Sequence, residues 1–137
     1  METIIEKYRD LVVQIATPYS LGTGFYLGEY GLIVTNEHVI RGNKRVVLKG
    51  HTFEEHLAEV LFVDAHLDLA FLDGSGINNE SKEPICAGTK VSIGEEIMAI
   101  GHPFGLKFSF TKGIVSNPTI LKNNQNFIQH DAALNPG

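Results

Sequence analysis

The sequence predicts an all-β fold, and three observations carry that expectation. β-branched and aromatic residues gather in short runs separated by turn-forming residues, the pattern of a sandwich or barrel. Only the opening segment has helical spacing. The runs form two groups, about six before a polar linker and about three after it.

Residues 3–9 are expected to form a short helix, with Ile4, Ile5 and Tyr8 on one face behind a Thr3 cap. A strand follows over 11–16. Strands over 23–27 and 32–35 flank Gly28-Glu29-Tyr30-Gly31, which reads as a hairpin turn. Residues 45–49 form another short strand, 56–63 a longer one apolar on both faces, and 69–72 the last of the first group. Residues 73–84 are rich in turn formers and charge, with little to bury. Strands resume at 96–100, before the loop Gly101-His102-Pro103-Phe104-Gly105. They continue in one or two runs over 107–116 around Gly113, then, after a polar turn at 121–125, over 126–130. Three strands alone leave open edges, so the second group looks incomplete on strand count.

The chain has 137 residues, enough for one domain or two small ones, with 43% hydrophobic and 20% charged residues. A net charge of −5, with Lys44-Arg45 the one adjacent basic pair, argues against nucleic acid and against an anionic membrane surface. No apolar run approaches the ~18 residues of a membrane span. The opening Met1-Glu2-Thr3-Ile4-Ile5-Glu6-Lys7 has no signal-peptide core. This points to the cytoplasm, or to the periplasm if the start was trimmed from a precursor. A lone cysteine, Cys86, excludes an internal disulfide and reads as a small buried hydrophobe. Asn79-Glu80-Ser81 matches a glycosylation acceptor but reads as a plain loop.

Two residues stand out chemically. His38, in Thr35-Asn36-Glu37-His38-Val39, is expected where an apolar strand ends, with its ring projecting into a cleft. Imidazole titrates near neutrality, which suits proton transfer. Asp68 opens the apolar run Leu69-Ala70-Phe71-Leu72, and a partly buried carboxylate there needs a partner. Asp64, four residues earlier, competes with it as the partner of His38. Six histidines (38, 51, 56, 66, 102 and 130) include no i, i+4 pair and accompany no cysteine cluster, so no metal site and no cofactor are expected. Gly22-x-Gly24 lacks the features of a phosphate loop and reads as close strand packing.

Five blocks, in order, carry a family resemblance. Gly22-Thr23-Gly24-Phe25 with Gly31 to Val39 resembles the first-barrel hairpin and the histidine block of HtrA/Deg-type trypsin-like serine proteases. Asp68-Leu69-Ala70 resembles their aspartate block, and Gly94 to Gly105 the start of the second barrel. Thr111 to Ser116 resembles the next strand, and Gln129 to Gly137 the approach to the nucleophile. The resemblance implies a chymotrypsin-like double β-barrel. The N-terminal barrel, over 1–75, would be complete and carry the His and Asp. A linker would span 76–90, and a partial second barrel 91–137. His38 would be the general base, Asp68 its orienting carboxylate, and Gly137 a backbone donor of the oxyanion hole.

The family's Asn and nucleophilic Ser would come directly after Gly137, and the sequence as given has neither. Ser75 lies in the linker, and Ser20, Ser92, Ser109, Ser116 and Cys86 lack a supporting context. The expected function is therefore a serine endopeptidase domain, inactive as these residues alone. It would be a truncated piece of a protease or one half of a two-chain enzyme. The contrasting expectation is a non-catalytic peptide-binding module that uses open strand edges. The expected partners are a peptide or unfolded protein, and a second copy or completing chain.

Overall fold

The structure, a computed structural model, describes residues 3–51, 53–77, 90–101 and 109–134. It begins with α1 (Ile4–Tyr8), closed at its start by a reciprocal capping box. Glu6 N–H donates to Thr3 Oγ1 at 3.2 Å, and Thr3 N–H donates to Glu6 Oε2 at 3.3 Å. A 3-10 turn (Arg9–Leu11) leads into β1 (Val12–Ala16).

β2 (Leu21–Leu27), β3 (Leu32–Thr35), β4 (Arg45–Gly50), β5 (His56–Asp64) and β6 (Leu69–Asp73) complete the first unit. They form a closed antiparallel barrel in the order β1-β2-β3-β6-β5-β4. β4 shuts it by pairing back onto β1, with Ile15 opposite Leu48. Alternation in the strands sends Val13, Ile15, Val46, Leu48, Ala70 and Leu72 inward, joined by Ile33 and Ala58. Val39 and Ile40 plug one end from a short helix after β3. The glycines of β2 permit this closeness. A Cβ on Gly24 would lie 2.8 Å from Ile15 Cδ1 and 2.9 Å from the Val34 carbonyl, so the strand-packing expectation holds.

β5 is not apolar on two buried faces. Ala58 is inside, while Leu57, Leu61 and Phe62 stand exposed. A bulge between Val60 and Phe62 shifts the register against β6 and leaves Phe62 tilted against Phe71, ring centres 6.0 Å apart.

The second unit is a three-stranded sheet in the order β7-β8-β9: β7 (Glu96–Gly101), β8 (Ser109–Lys122) and β9 (Gln125–His130). β8 runs six residues past the expected end at Ser116. Its pairing with β9 slips around Pro118, which has no N–H to give the ladder. The polar turn expected at 121–125 narrows to Asn123-Asn124, both at positive φ (51° and 62°). Two such residues make a tight hairpin that lets Lys122 and Gln125 pair. The units touch where β7 packs on β1 and β2 and where Gln125 Nε2 donates to the His66 carbonyl at 2.6 Å.

Candidate active site

The site begins where β3 runs out. Thr35 is buried, its hydroxyl donating to the Thr23 carbonyl at 2.9 Å. Asn36 stays extended (φ −83°, ψ 145°), and the chain then turns into α2 (Glu37–Ile40). His38 therefore lies within a helical turn rather than at a strand end, which corrects the sequence expectation. The cause is local: Val39 and Ile40 must fold back to plug the barrel, and only a turn delivers both. Four residues are too few to show helical periodicity. The same turn leaves the His38 side chain 61% exposed.

Asp68 ends the turn that precedes β6, with φ at 55°. Aspartate tolerates this left-handed conformation better than most residues. Asn36 Nδ2 donates to the Asp68 carbonyl at 2.9 Å, fixing the Asp68 backbone against the His38 segment. Asp68 Oδ1 accepts the His38 backbone N–H at 2.9 Å, and Oδ2 lies 2.7 Å from His38 Nδ1. The carboxylate thus grips both backbone and ring. This arrangement assigns the ring proton to Nδ1 and leaves Nε2 with a lone pair. Among the described residues Nε2 has no hydrogen-bond partner. Asp64, the competing carboxylate, instead accepts the Leu67 N–H at 3.0 Å within the turn.

Burial pushes the Asp68 carboxyl up. The His38 backbone N–H, the His38 ring and charge, and the Glu37 N–H outweigh it, so the group sits below its ordinary value. Glu37 is lowered chiefly by its bonds to Arg41, and Asp73 by the Ser75 hydroxyl. A depressed carboxyl contributes stability that is complete above its unfolded value and lost as pH falls through the folded one. Thermal melts should therefore show the folded state weakening as pH drops below about 4. Asp68→Asn should flatten that slope. An unchanged slope in the variant would remove Asp68 as a contributor.

Gly137 lies outside the described residues, as do Cys86 and His102. The segment leading toward Gly137 is held along β8. Asp131 Oδ1 accepts the Ile114 N–H at 2.7 Å, and Thr111 Oγ1 donates to the Ala133 carbonyl at 2.8 Å. A side chain on Gly113 would collide with Asp131 and Ala132. Thr111, Gly113 and Asp131 were missed as the residues that hold this segment. The available signal was a glycine inside a strand, which marks close backbone approach.

Ser75 is not placed for chemistry: its hydroxyl donates to Asp73 at 2.6 Å. Among the described residues no hydroxyl is hydrogen-bonded to His38. A groove of about 680 Å³ runs beside Asp68, between Asn36 and Leu67 on one side and Lys122, Phe127 and Ile128 on the other.

A closed six-strand barrel with a carboxylate-oriented histidine at its end, joined to a second antiparallel sheet, defines the trypsin-like class of fold. Residues 22–137 match the trypsin-like peptidase domain model, and the chain belongs to that family, as an HtrA/DegP-like member. It is 36% identical over 121 residues to a probable periplasmic serine endoprotease DegP-like of Pseudomonas putida, covering 86% of this chain and 25% of that protein. The Chlamydia trachomatis protein of the same description is 34% identical over 122 residues, covering 85% and 24%. The chain thus spans about a quarter of the length of these relatives.

Among solved structures, the HtrA-type protease AlgW with tripeptide superposes at a TM-score of 0.84 with 28% identity, over 97% of this chain and 46% of that one. The serine endoprotease from Yersinia pestis gives 0.78 with 29% identity, over 97% and 48%. No helix among the described residues is long and apolar enough to cross a membrane.

Proposed function

We propose that these residues supply the general base and its orienting acid to a serine endopeptidase that works by acyl transfer. The observation that supports this most is the double grip of Asp68 on His38, at 2.7 Å to Nδ1 and 2.9 Å to the backbone N–H. His38 Nε2 takes the proton of the serine hydroxyl as it attacks the scissile carbonyl. The protonated ring, stabilised by Asp68, then gives that proton to the leaving amine. The Gly137 N–H is assigned to the oxyanion. The assignment follows the resemblance of Asp131-Ala132-Ala133-Leu134-Asn135-Pro136-Gly137 to the family's approach to the nucleophile.

The proposed division is a first barrel over 1–75, a linker over 76–90 and a partial second barrel over 91–137. The serine is assigned to a segment beyond these residues, on the same polypeptide or on a partner chain. The proposed substrate is a peptide or an unfolded protein, in line with the tripeptide in the AlgW structure. For the compartment, the relatives' descriptions favour the periplasm over the cytoplasm expected from the acidic opening segment.

Cleavage of an unfolded protein substrate tests this reading. Residues 1–137 alone should show no turnover above buffer. A serine-bearing form, with the missing segment supplied, should hydrolyse the substrate. Turnover by residues 1–137 alone would contradict the assignment of the nucleophile. A second reading, a peptide-binding module, is favoured by the outer edge of β9, which has no paired strand among the described residues. Peptide binding without cleavage in the serine-bearing form would select it.

A further inference from the structure

Among the described residues two polar side chains are buried, Thr35 and Glu37, at 5% and 6% exposure. Thr35 is accounted for by its bond within the barrel. Glu37 is a carboxylate directly before His38, and burying it requires a partner. Arg41, one helical turn on, provides it. Its Nε donates to both Glu37 oxygens at 3.1 and 3.0 Å, and a terminal nitrogen donates to Oε1 at 2.6 Å. The Arg41 side chain is itself 69% exposed. The pair therefore ties the first residue of α2 to the residue just past its end, across His38. From that braced turn, the His38 backbone N–H donates to the Asp68 carboxylate at 2.9 Å, and the Glu37 N–H helps to lower that carboxyl.

We propose that the Glu37–Arg41 pair is a positioning device for the His38–Asp68 pair, bracing α2 and keeping a neutralised carboxylate beside Asp68. Neither residue touches the reacting atoms. Its value to catalysis rests on the reading of His38 and Asp68 given above, but its geometry can be tested without catalysis.

Charge separates this role from simple structural support. Glu37 and Asp68 repel one another, while Arg41 is attracted to both. Among the described residues, the charged and titratable groups around Asp68 include His38, Glu37 and Arg41 from α2 and its end, Asp64 and His66 from its own turn, and Lys122 across the groove. Removing Arg41 leaves Glu37 unbalanced next to Asp68 and raises the Asp68 carboxyl. Removing the Glu37 charge frees Arg41 to hold that carboxyl lower still. A brace without electrostatic effect would loosen the His38–Asp68 bond in both variants and move Asp68 the same way in each.

The experiment is a carbon-13 NMR titration of the Asp68 carboxyl in the 137-residue chain, comparing the native sequence with Arg41→Gln and Glu37→Gln. Arg41→Gln should move the Asp68 midpoint up and Glu37→Gln should move it down. Arg41→Lys, which keeps the charge, should restore most of the shift. Movement in the same direction in both variants, or no movement in the exposed-site variant Arg41→Gln, would overturn the proposal. In the serine-bearing form, Arg41→Gln should lower kcat roughly 10- to 100-fold with KM little changed. An unchanged kcat would overturn the catalytic part alone. Absence of activity in the unmutated form would instead count against the peptidase reading and leave the titration result standing.

Discussion

Replacing His38 by alanine should lower kcat of the serine-bearing form by about 10⁶-fold, with KM nearly unchanged. The size follows from what the side chain does. A serine hydroxyl is a weak nucleophile until a base takes its proton, and in the proposed function that base is His38 Nε2, left free because Asp68 occupies Nδ1. KM should hardly move because the imidazole acts mainly in the transition state. Asp68→Asn should cost less, about 10⁴-fold, and for a different reason. The asparagine amide can donate to Nδ1, which forces the ring proton onto Nε2 and blocks the base. The backbone bond from His38 N–H can persist in that variant, so loss of rate with the fold intact is the expected signature.

Leu72→Ala should destabilise the folded chain by about 2–5 kcal/mol, measured by urea unfolding. Leu72 is fully buried in the barrel core. It pairs with Ile33 on β3 and Val60 on β5, so truncation opens a cavity between strands already closed into a barrel. A closed barrel cannot collapse onto the gap by sliding one sheet over another, which places the cost in the upper part of that range. β6 also follows directly from Asp68, so loosening it should disturb the His38–Asp68 pair before the chain unfolds. Leu57→Ala is the control. That side chain is 60% exposed and should cost less than about 1 kcal/mol.

The strands were legible because alternation is a local signal: Val13 and Ile15, Val46 and Leu48, and Ala70 and Leu72 repeat every second residue. Closure of the first six into one barrel was legible only through the family resemblance, since nothing local pairs β4 with β1. α2 was not legible, because its four residues are dictated by the need to plug the barrel. The length of β8 was hidden by Pro118, which reads as a break but is accommodated where the register slips.

At the site, His38 and Asp68 stood out by residue type and context, and the family resemblance chose Asp68 over Asp64; the turn that spends Asp64 on Leu67, the physical reason, is visible only in the fold. The Glu37–Arg41 spacing was visible, but the burial that gives it meaning was not. A second pair, His51 with Asp10 at 2.7 Å, joins residues 41 apart in the chain, so only tertiary structure brings them together.

The most direct test of the central claim, that His38 oriented by Asp68 activates a serine, is the rate of fluorophosphonate labelling. It should be followed in the serine-bearing form, with and without His38→Ala. The account predicts covalent labelling of one serine, and a loss of that labelling in the alanine variant. Equal labelling rates in both would contradict it.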